Sequence, residues 1–278
     1  MLNFNAEIPA PTDYDQPAWW FVFSQRKMLV LVNPENRRQI TGIPKIKSPD
    51  ELGIPSTQHN FLGELDGVRC WVAEVEERIE LALGQSFVNP RFLFGQVDEP
   101  LRRVAFRAIF VNDWDRNNQF CGHCATPMEY GTDRSKKCPS CGLTRYARLS
   151  PAVIMMVRKD DKILLGRNKR HPEGFWSVLA GFVDPGESLE ETVAREVMEE
   201  VGLHVKNITY FGSEAWPFPD SLMLGFMCDY DSGEFVLEDE IVEADWFGPD
   251  DFPKNIPTGD ISIAGRLIEH FAAELAAK

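Results

Sequence analysis

From Gly181 to Leu203 the chain reads GFVDPGESLEETVAREVMEEVGL, and this stretch constrains the fold more than any other. Ser188 followed three residues later by Glu191 is a capping box, which starts a helix. Gly202, just past the last acidic residue, is a natural stop. The short helix between them holds five glutamates. Glu196, Glu199 and Glu200 fall at i, i+3 and i+4, so their carboxylates share one face, while Leu189, Val193 and Val197 make the buried stripe. Like charges this close repel unless something neutralises them. Clustered hard oxygen donors suit Mg²⁺ or Mn²⁺ and, through them, phosphate substrates.

A solvated acidic face is the ordinary fate of a glutamate run, and the residues around this run decide against it. Gly181 is followed after five residues by Glu187 and after seven more by Arg195-Glu196-Val197, then Glu199-Glu200, Gly202 and Leu203. This frame resembles the Nudix box at every position, and the resemblance implies hydrolysis of a nucleoside diphosphate linked to another group. Arg195 is a poor metal ligand, but it can hold Glu187 or Glu199 in place.

The chain has 278 residues, 44% of them apolar and 26% charged, enough for a sizeable core and more than one domain. A formal charge of −14 argues against general nucleic-acid binding through phosphate contacts. Bound divalent cations would reconcile that acidity with an anionic substrate. No apolar run approaches the roughly 20 residues of a membrane span. The N-terminus, with Glu7, Asp13 and Asp15, does not resemble a signal peptide, so cytoplasmic residence and no membrane partner are expected.

Cys121-Gly-His-Cys124 and Cys138-Pro-Ser-Cys141 are two Cys-x-x-Cys pairs thirteen residues apart. Four thiolates at this spacing suit a structural Zn²⁺, and a cytosolic chain disfavours the disulfide alternative. His123 lies between ligands, though four cysteines already close the shell. Cys70 and Cys228 sit in apolar, strand-like surroundings and read as buried thiols.

Apolar runs at Trp19 to Phe23, Met28 to Val32 and Val68 to Val72 predict a β-rich N-terminal domain over 1–115, which ends in a helix. That helix carries Leu101, Val104, Ala105, Ala108 and Ile109 on one stripe, with Asp98 as cap and Pro100 in the first turn. A zinc ribbon over 116–149 and a third domain over 150–278 follow. In the third domain Ala152 to Val157, Lys162 to Arg167 and Trp176 to Phe182 read as strands, with a hairpin turn at Asp160-Asp161. After the acidic helix come strands near Val205 to Ser213, Leu222 to Tyr230 and Ala244 to Phe247, and a last helix over roughly Ile261 to Ala276. The expected class is α/β: a Nudix α/β/α sandwich with a mixed sheet, preceded by the Cys₄ ribbon and the β-rich domain.

Beyond the box, Ser213-Glu-Ala-Trp-Pro-Phe-Pro-Asp-Ser221 holds two aromatics between prolines, flat surfaces suited to a nucleobase or nicotinamide ring. Taken alone, the segment reads as well as a proline-rich connection packed in the core. With the ribbon and the box it resembles the NADH pyrophosphatase branch of the Nudix superfamily, whose members cleave NAD(H) to nicotinamide mononucleotide and AMP. That branch is similar to bacterial enzymes that remove an NAD cap from RNA 5′ ends.

The resemblance implies catalytic roles for Glu199 and Glu200, one of them the general base. It implies Mg²⁺ or Mn²⁺ ligation by Glu196, Glu199, Glu200, Glu240 and the Ala180 carbonyl. Glu238 and Glu243 lie near Glu240 and compete for that assignment. Substrate contacts are implied at Tyr146, Phe182, Glu214, Ala215, Trp216, Pro217, Phe218, Pro219, Asp220, Ser221 and Ala264, and more loosely at Arg91 and Asp133. Glu214 and Ala215 depart from the Gln and Pro usual in the motif.

Homodimerisation is expected on the same ground. Arg134, Lys136, Lys137, Arg145 and Arg148, against Glu129 and Asp133, give the ribbon a basic patch suited to an RNA 5′ end or simply to solvent. Another dinucleotide or ADP-ribose as main substrate, or a non-hydrolytic nucleotide sensor, are the competing readings. A sensor would be expected to have lost box carboxylates.

Overall fold

The computed structural model describes residues 3–6, 16–55, 58–75, 79–237, 239–259 and 261–277. Glu238 and the acidic N-terminal residues Glu7, Asp13 and Asp15 lie outside them. The chain divides into two compact units, Met1–Arg148 and Leu149–Lys278.

In the first unit β1 (Phe4–Asn5), β2 (Ala18–Ser24), β3 (Lys27–Val32), β4 (Ile40–Gly42), β5 (Lys45–Ile46), β6 (Gln58–Leu65), β7 (Val68–Glu74) and β8 (Gln85–Val88) form one sheet. Its order is β1-β6-β7-β2-β3-β4, with β5 on β2 and β8 on β3. The neighbouring β2 and β7 run parallel, so Trp20 lies beside Trp71, and the two rings stack at 5.8 Å. Helix α1 (Glu99–Asn117) packs on β6 and β7 through Val104, Ala105, Ala108 and Ile109. Asp98 occupies the cap position without a side-chain hydrogen bond, and Pro100 lies in the first turn. The helix outlasts its apolar stripe because Asn112, Trp114 and Asp115 continue its buried side. Glu74 of β7 accepts from Asn112 and Arg116 at 2.7 and 3.1 Å.

The cysteine module belongs to this unit and is built on three two-residue strands, β9 (Glu129–Tyr130), β10 (Lys136–Lys137) and β11 (Thr144–Arg145), with β10 central. Lys136, expected in a basic surface patch, is instead 1% exposed. Its Nζ lies 2.6 Å from Asp115 Oδ1 and donates to the Asp115 carbonyl at 2.9 Å, while the Tyr130 ring and hydroxyl close over the pair. A buried ammonium needs such a partner, which removes Lys136 from any RNA-facing surface.

In the second unit β12 (Ser150–Lys159), β13 (Lys162–Asn168), β14 (Leu179–Phe182), β15 (Leu203–Trp216), β16 (Ser221–Gly233) and β17 (Ile241–Phe247) form a mixed sheet. Its order is β15-β16-β12-β13-β17; β12 and β16 are parallel, and β14 lies antiparallel on β12. Helix α2 (Leu189–Val201) covers one face and α3 (Ile263–Ala276) the other, an α/β/α sandwich. The apolar run of β12 explains this: Val153, Met155 and Val157 point to the α2 side, Ile154 and Met156 to the α3 side. No helix among the described residues is long and apolar enough to cross a membrane.

Several expected boundaries move, among them β16, which runs on to Gly233, β17, which begins at Ile241, and two next to the aromatic motif and β14. The strand predicted from Trp176 begins only at Leu179, because the Trp176 N–H is taken by the Asn255 carbonyl at 2.9 Å. The strand predicted to end at Ser213 continues to Trp216, so half of the aromatic motif is sheet and the turn is confined to 217–220. Cys70 and Cys228 are fully buried in β7 and β16, and burial pushes each thiol up to about 12.

Replacing Lys136 by Met is expected to cost about 3 kcal/mol or more, because it leaves the buried Asp115 carboxylate without its cation. The double variant Lys136→Met/Asp115→Asn should recover part of the loss, as read from urea denaturation of the intact chain.

Candidate active site

The capping box forms as the sequence predicts: Ser188 Oγ accepts from Glu191 N–H at 3.2 Å, and Glu191 Oε2 accepts from Ser188 N–H at 2.8 Å. Gly202 ends α2 with φ of 74°, and a methyl there would come within 2.8 Å of Val236 Cβ. Thr192, Val193, Val197 and Val201 are the fully buried side of α2, with Leu189 only half-buried. Glu196, Glu199 and Glu200 therefore stand on the flanks and outer side.

Arg195 organises them. Its Nε and Nη2 donate to the two oxygens of Glu187 at 2.6 and 2.9 Å. Nη1 reaches Glu196 Oε1 and Glu199 Oε2, each at 2.9 Å, and Nη2 also donates to the Phe182 carbonyl at 3.0 Å. This fork holds the Glu187 carboxyl down to about 2. Gly181 is required by close approach: a Cβ there would overlap the Glu196 carboxylate, which lies against the β14 backbone.

Glu200 has a different environment. Its Oε2 is buried with no hydrogen-bond partner, and burial, with the charges of Glu196, Glu240 and Glu199, pushes its carboxyl up to about 8. Burial also raises Glu196, with Arg195 opposing. Glu240 lies just before β17, close enough for its charge to act on Glu200, and pairs with Arg170 at 2.6 Å. Glu243 is held by Arg167 at 2.5 Å. Arg170 was not singled out from the sequence; the only signal was the basic run Arg167-Asn-Lys-Arg170.

An orphaned buried carboxylate oxygen beside further acidic oxygens fits a hard divalent cation. The carboxylates do not close into a cage by themselves, since Arg195 occupies Glu196 and Glu199. Among the described residues, only Cys121, Cys124, Cys138 and Cys141 bring all their donor atoms within 4.8 Å of one another. Cys121 and Cys141 sulfurs lie 3.6 Å apart and those of Cys124 and Cys138 3.5 Å, far too long for disulfides. These separations approach the about 3.8 Å edge of a tetrahedron with Zn–S arms of about 2.3 Å. Backbone N–H groups of His123 and Cys141 point at Cys121 and Cys138 sulfurs, each at 3.4 Å, as outer support for thiolates. His123 is exposed and outside the cluster.

The remaining sequence candidates fall in several places. Trp216 ends β15 and Phe218 lies in the turn, with ring centroids 5.2 Å apart at 74°. Ala215 and Pro219 are exposed, Asp220 half-buried, and Pro217 and Ser221 buried. Glu214 Oε2 accepts from the Ile263 N–H at 2.6 Å and faces Arg266 at 3.6 Å, so it closes the N-terminus of α3. Ala264 is 6% exposed and its methyl belongs to the core. Ala180 is exposed on β14 opposite Ile154, and Phe182 is 53% exposed.

In the first unit, the Tyr146 hydroxyl donates to Asp133 Oδ2 at 2.7 Å, leaving an exposed ring pinned by a carboxylate that Ser135 also supports. Arg91 is exposed on a short turn of helix after Asn89.

An α/β/α sandwich with this arginine-anchored glutamate helix defines a Nudix hydrolase. Residues 148–269 match the NUDIX domain family, and residues 17–114 match the NADH pyrophosphatase-like rudimentary NUDIX domain. The chain is 43% identical over 224 residues to the NAD-capped RNA hydrolase NudC of Pseudomonas aeruginosa, covering 79% of each chain. The proteins of that name from Chromobacterium violaceum and Escherichia coli are 37% identical over 270 residues and 38% over 264. These matches cover 95% of each chain for the first, and 92% of this chain and 93% of its relative for the second. This chain belongs to the NudC branch of the Nudix superfamily.

A carboxyl raised above its unfolded value of 4.5 to about 8 stabilises the fold below pH 4.5, and that contribution is lost as pH rises towards 8. Without divalent cation, Tm should therefore fall between pH 5 and 8 by about 2–5 °C. Mn²⁺ or Mg²⁺ should raise Tm more at pH 8 than at pH 5, and Glu200→Gln should flatten both responses in a thermal melt.

Proposed function

We propose that this protein hydrolyses the diphosphate of NAD(H) to nicotinamide mononucleotide and AMP, and removes the NAD cap from RNA 5′ ends. The observation that carries this is the buried, unpartnered Glu200 oxygen within an arginine-held glutamate set, on a chain 43% identical to an NAD-capped RNA hydrolase. Glu196, Glu200 and Glu240, with the Ala180 carbonyl, would hold Mg²⁺ or Mn²⁺. When bound, the cation offsets phosphate charge and lowers the pKa of the attacking water.

Arg195 keeps Glu196 and Glu199 oriented throughout. The proton of the attacking water goes to Glu199 or Glu200, whose environments differ: Glu199 is half-exposed with one oxygen on Arg195, and Glu200 is half-buried with its Oε2 sealed from solvent and unpartnered. Phe182, Trp216, Phe218 and Tyr146 offer flat faces for the nicotinamide or adenine ring, with Asp133 fixing Tyr146. Zn²⁺ on the four cysteines is structural, because four thiolates leave no open position. A homodimer and cytoplasmic residence complete the proposal, the first open to sedimentation and the second to fractionation.

Glu200→Gln should keep the fold and lose turnover of NADH and NAD-capped RNA by about 100-fold or more. Near wild-type rates in saturating Mg²⁺ would overturn the assignment. Rates on NADH, NAD⁺, ADP-ribose and a capped transcript, compared in one assay, rank the substrates; binding of all four without hydrolysis would identify a sensor instead.

Elemental analysis should find one zinc per chain, and Cys138→Ser should release it and lower Tm. Full stability after that loss would refute a structural role.

A further inference from the structure

Resting on the diphosphatase reading above, we infer that Arg170 is a positioning residue that changes partner during the cycle, leaving the Glu240 carboxylate for a phosphate oxygen of the substrate. The backbone of the Arg170 turn is fixed. Asn168 Oδ1 accepts from the Arg170 N–H at 2.9 Å, the Asn168 carbonyl accepts from His171 N–H at 3.0 Å, and Lys169 N–H donates to the Glu240 carbonyl at 3.0 Å. The turn is thereby held against the start of β17, beside the glutamate whose charge reaches Glu200.

The side chain is not fixed in the same way. Arg170 meets Glu240 Oε1 at 2.6 Å, yet the two side chains are 71% and 48% exposed, and an exposed pair of this kind contributes little to stability. Arg195 differs: it is 25% exposed and divided among three carboxylates and a carbonyl, so its position is determined by many bonds at once. Arg167 is committed to Glu243.

If Glu240 holds a divalent cation, the guanidinium on the same carboxylate would be displaced by charge repulsion. A guanidinium released from its single contact with Glu240 Oε1 can turn its fork to two oxygens of a phosphate. Arg170 thus balances Glu240 before the cation arrives and supplies positive charge to the diphosphate afterwards.

The two halves of this exchange predict effects of opposite sign. In the zinc-containing full chain, Arg170→Ala should tighten Mn²⁺ binding by about threefold, read by electron paramagnetic resonance of free Mn²⁺ without nucleotide. The same variant should raise KM for NADH by about tenfold, with kcat changed less. Arg170→Lys, which keeps the charge, should restore Mn²⁺ affinity to wild type and recover part of KM.

A merely structural residue would weaken Mn²⁺ binding and substrate binding together, and that result overturns the inference, as does an unchanged KM. Failure of the diphosphatase reading shows elsewhere, as absence of turnover in the wild type.

Discussion

The Arg195 guanidinium bonds both oxygens of Glu187, one oxygen each of Glu196 and Glu199, and the Phe182 carbonyl, and the acidic site exists only because of it. Three carboxylates on and beside one short helix would otherwise repel and unwind it or draw in protons. The fork also joins three pieces of chain: the end of β14, the loop before α2, and the helix itself. Gly181 lets the Glu196 carboxylate lie against β14, so the helix can sit close to the strand that carries Ala180. With Glu196 and Glu199 balanced this way, Glu200 is left, among the described residues, with a buried carboxylate oxygen that has no partner, and burial together with the charges of Glu196, Glu240 and Glu199 raises its pKa.

The chain carries two metal-type donor sets, and their different chemistry explains why only one converges unaided. The cysteine sulfurs lie 3.5 and 3.6 Å apart across two tight backbone turns, in which the Cys121 and Cys138 carbonyls accept from the Ala125 and Gly142 N–H groups. Soft donors in a closed set of four leave nothing for a substrate, which suits support rather than chemistry. Ionised carboxylates repel one another, so they stay apart, recruit arginines as Glu240 recruits Arg170, or hold a proton as burial favours for Glu200. Such a site is open by construction, and the openness is what a hydrolytic metal needs.

The ends of helix α2 were readable from sequence to the residue, because its capping box and terminal glycine are local signals, while its buried stripe was read at Val193 and Val197 and missed Thr192 and Val201. The central strand β12 was readable for a related reason: a run apolar on both faces can only lie between two covering layers. What escaped were contacts between distant residues. Arg170 and Glu240 are 70 positions apart, and neither is unusual where it stands. Lys136 reads as a surface lysine until Asp115, 21 residues earlier, is seen beneath it. The Trp176 segment has the composition of a strand but gives the Trp176 N–H to Asn255 and meets β13 only through a single bridge of Ser177 to Gly166, partners no periodicity reveals.

Glu214 shows how one such contact changes the meaning of a residue. Set in an aromatic motif that would face an anionic dinucleotide, a carboxylate where the family resemblance implies an amide looks unfavourable. Its oxygen instead accepts the Ile263 N–H at 2.6 Å, at the positive end of α3, with Arg266 3.6 Å away. The charge is thus directed at a helix terminus and a guanidinium, both of which offset it. The same contact joins the last residues of β15, which lead into Trp216, to the helix whose first turn contains Ala264. The substitution therefore trades an amide for a charged acceptor that braces the aromatic hairpin. A negative group near an anionic substrate is tolerable here for the same reason as at Glu187, Glu196 and Glu199: each of these carboxylates has a guanidinium partner within its own unit.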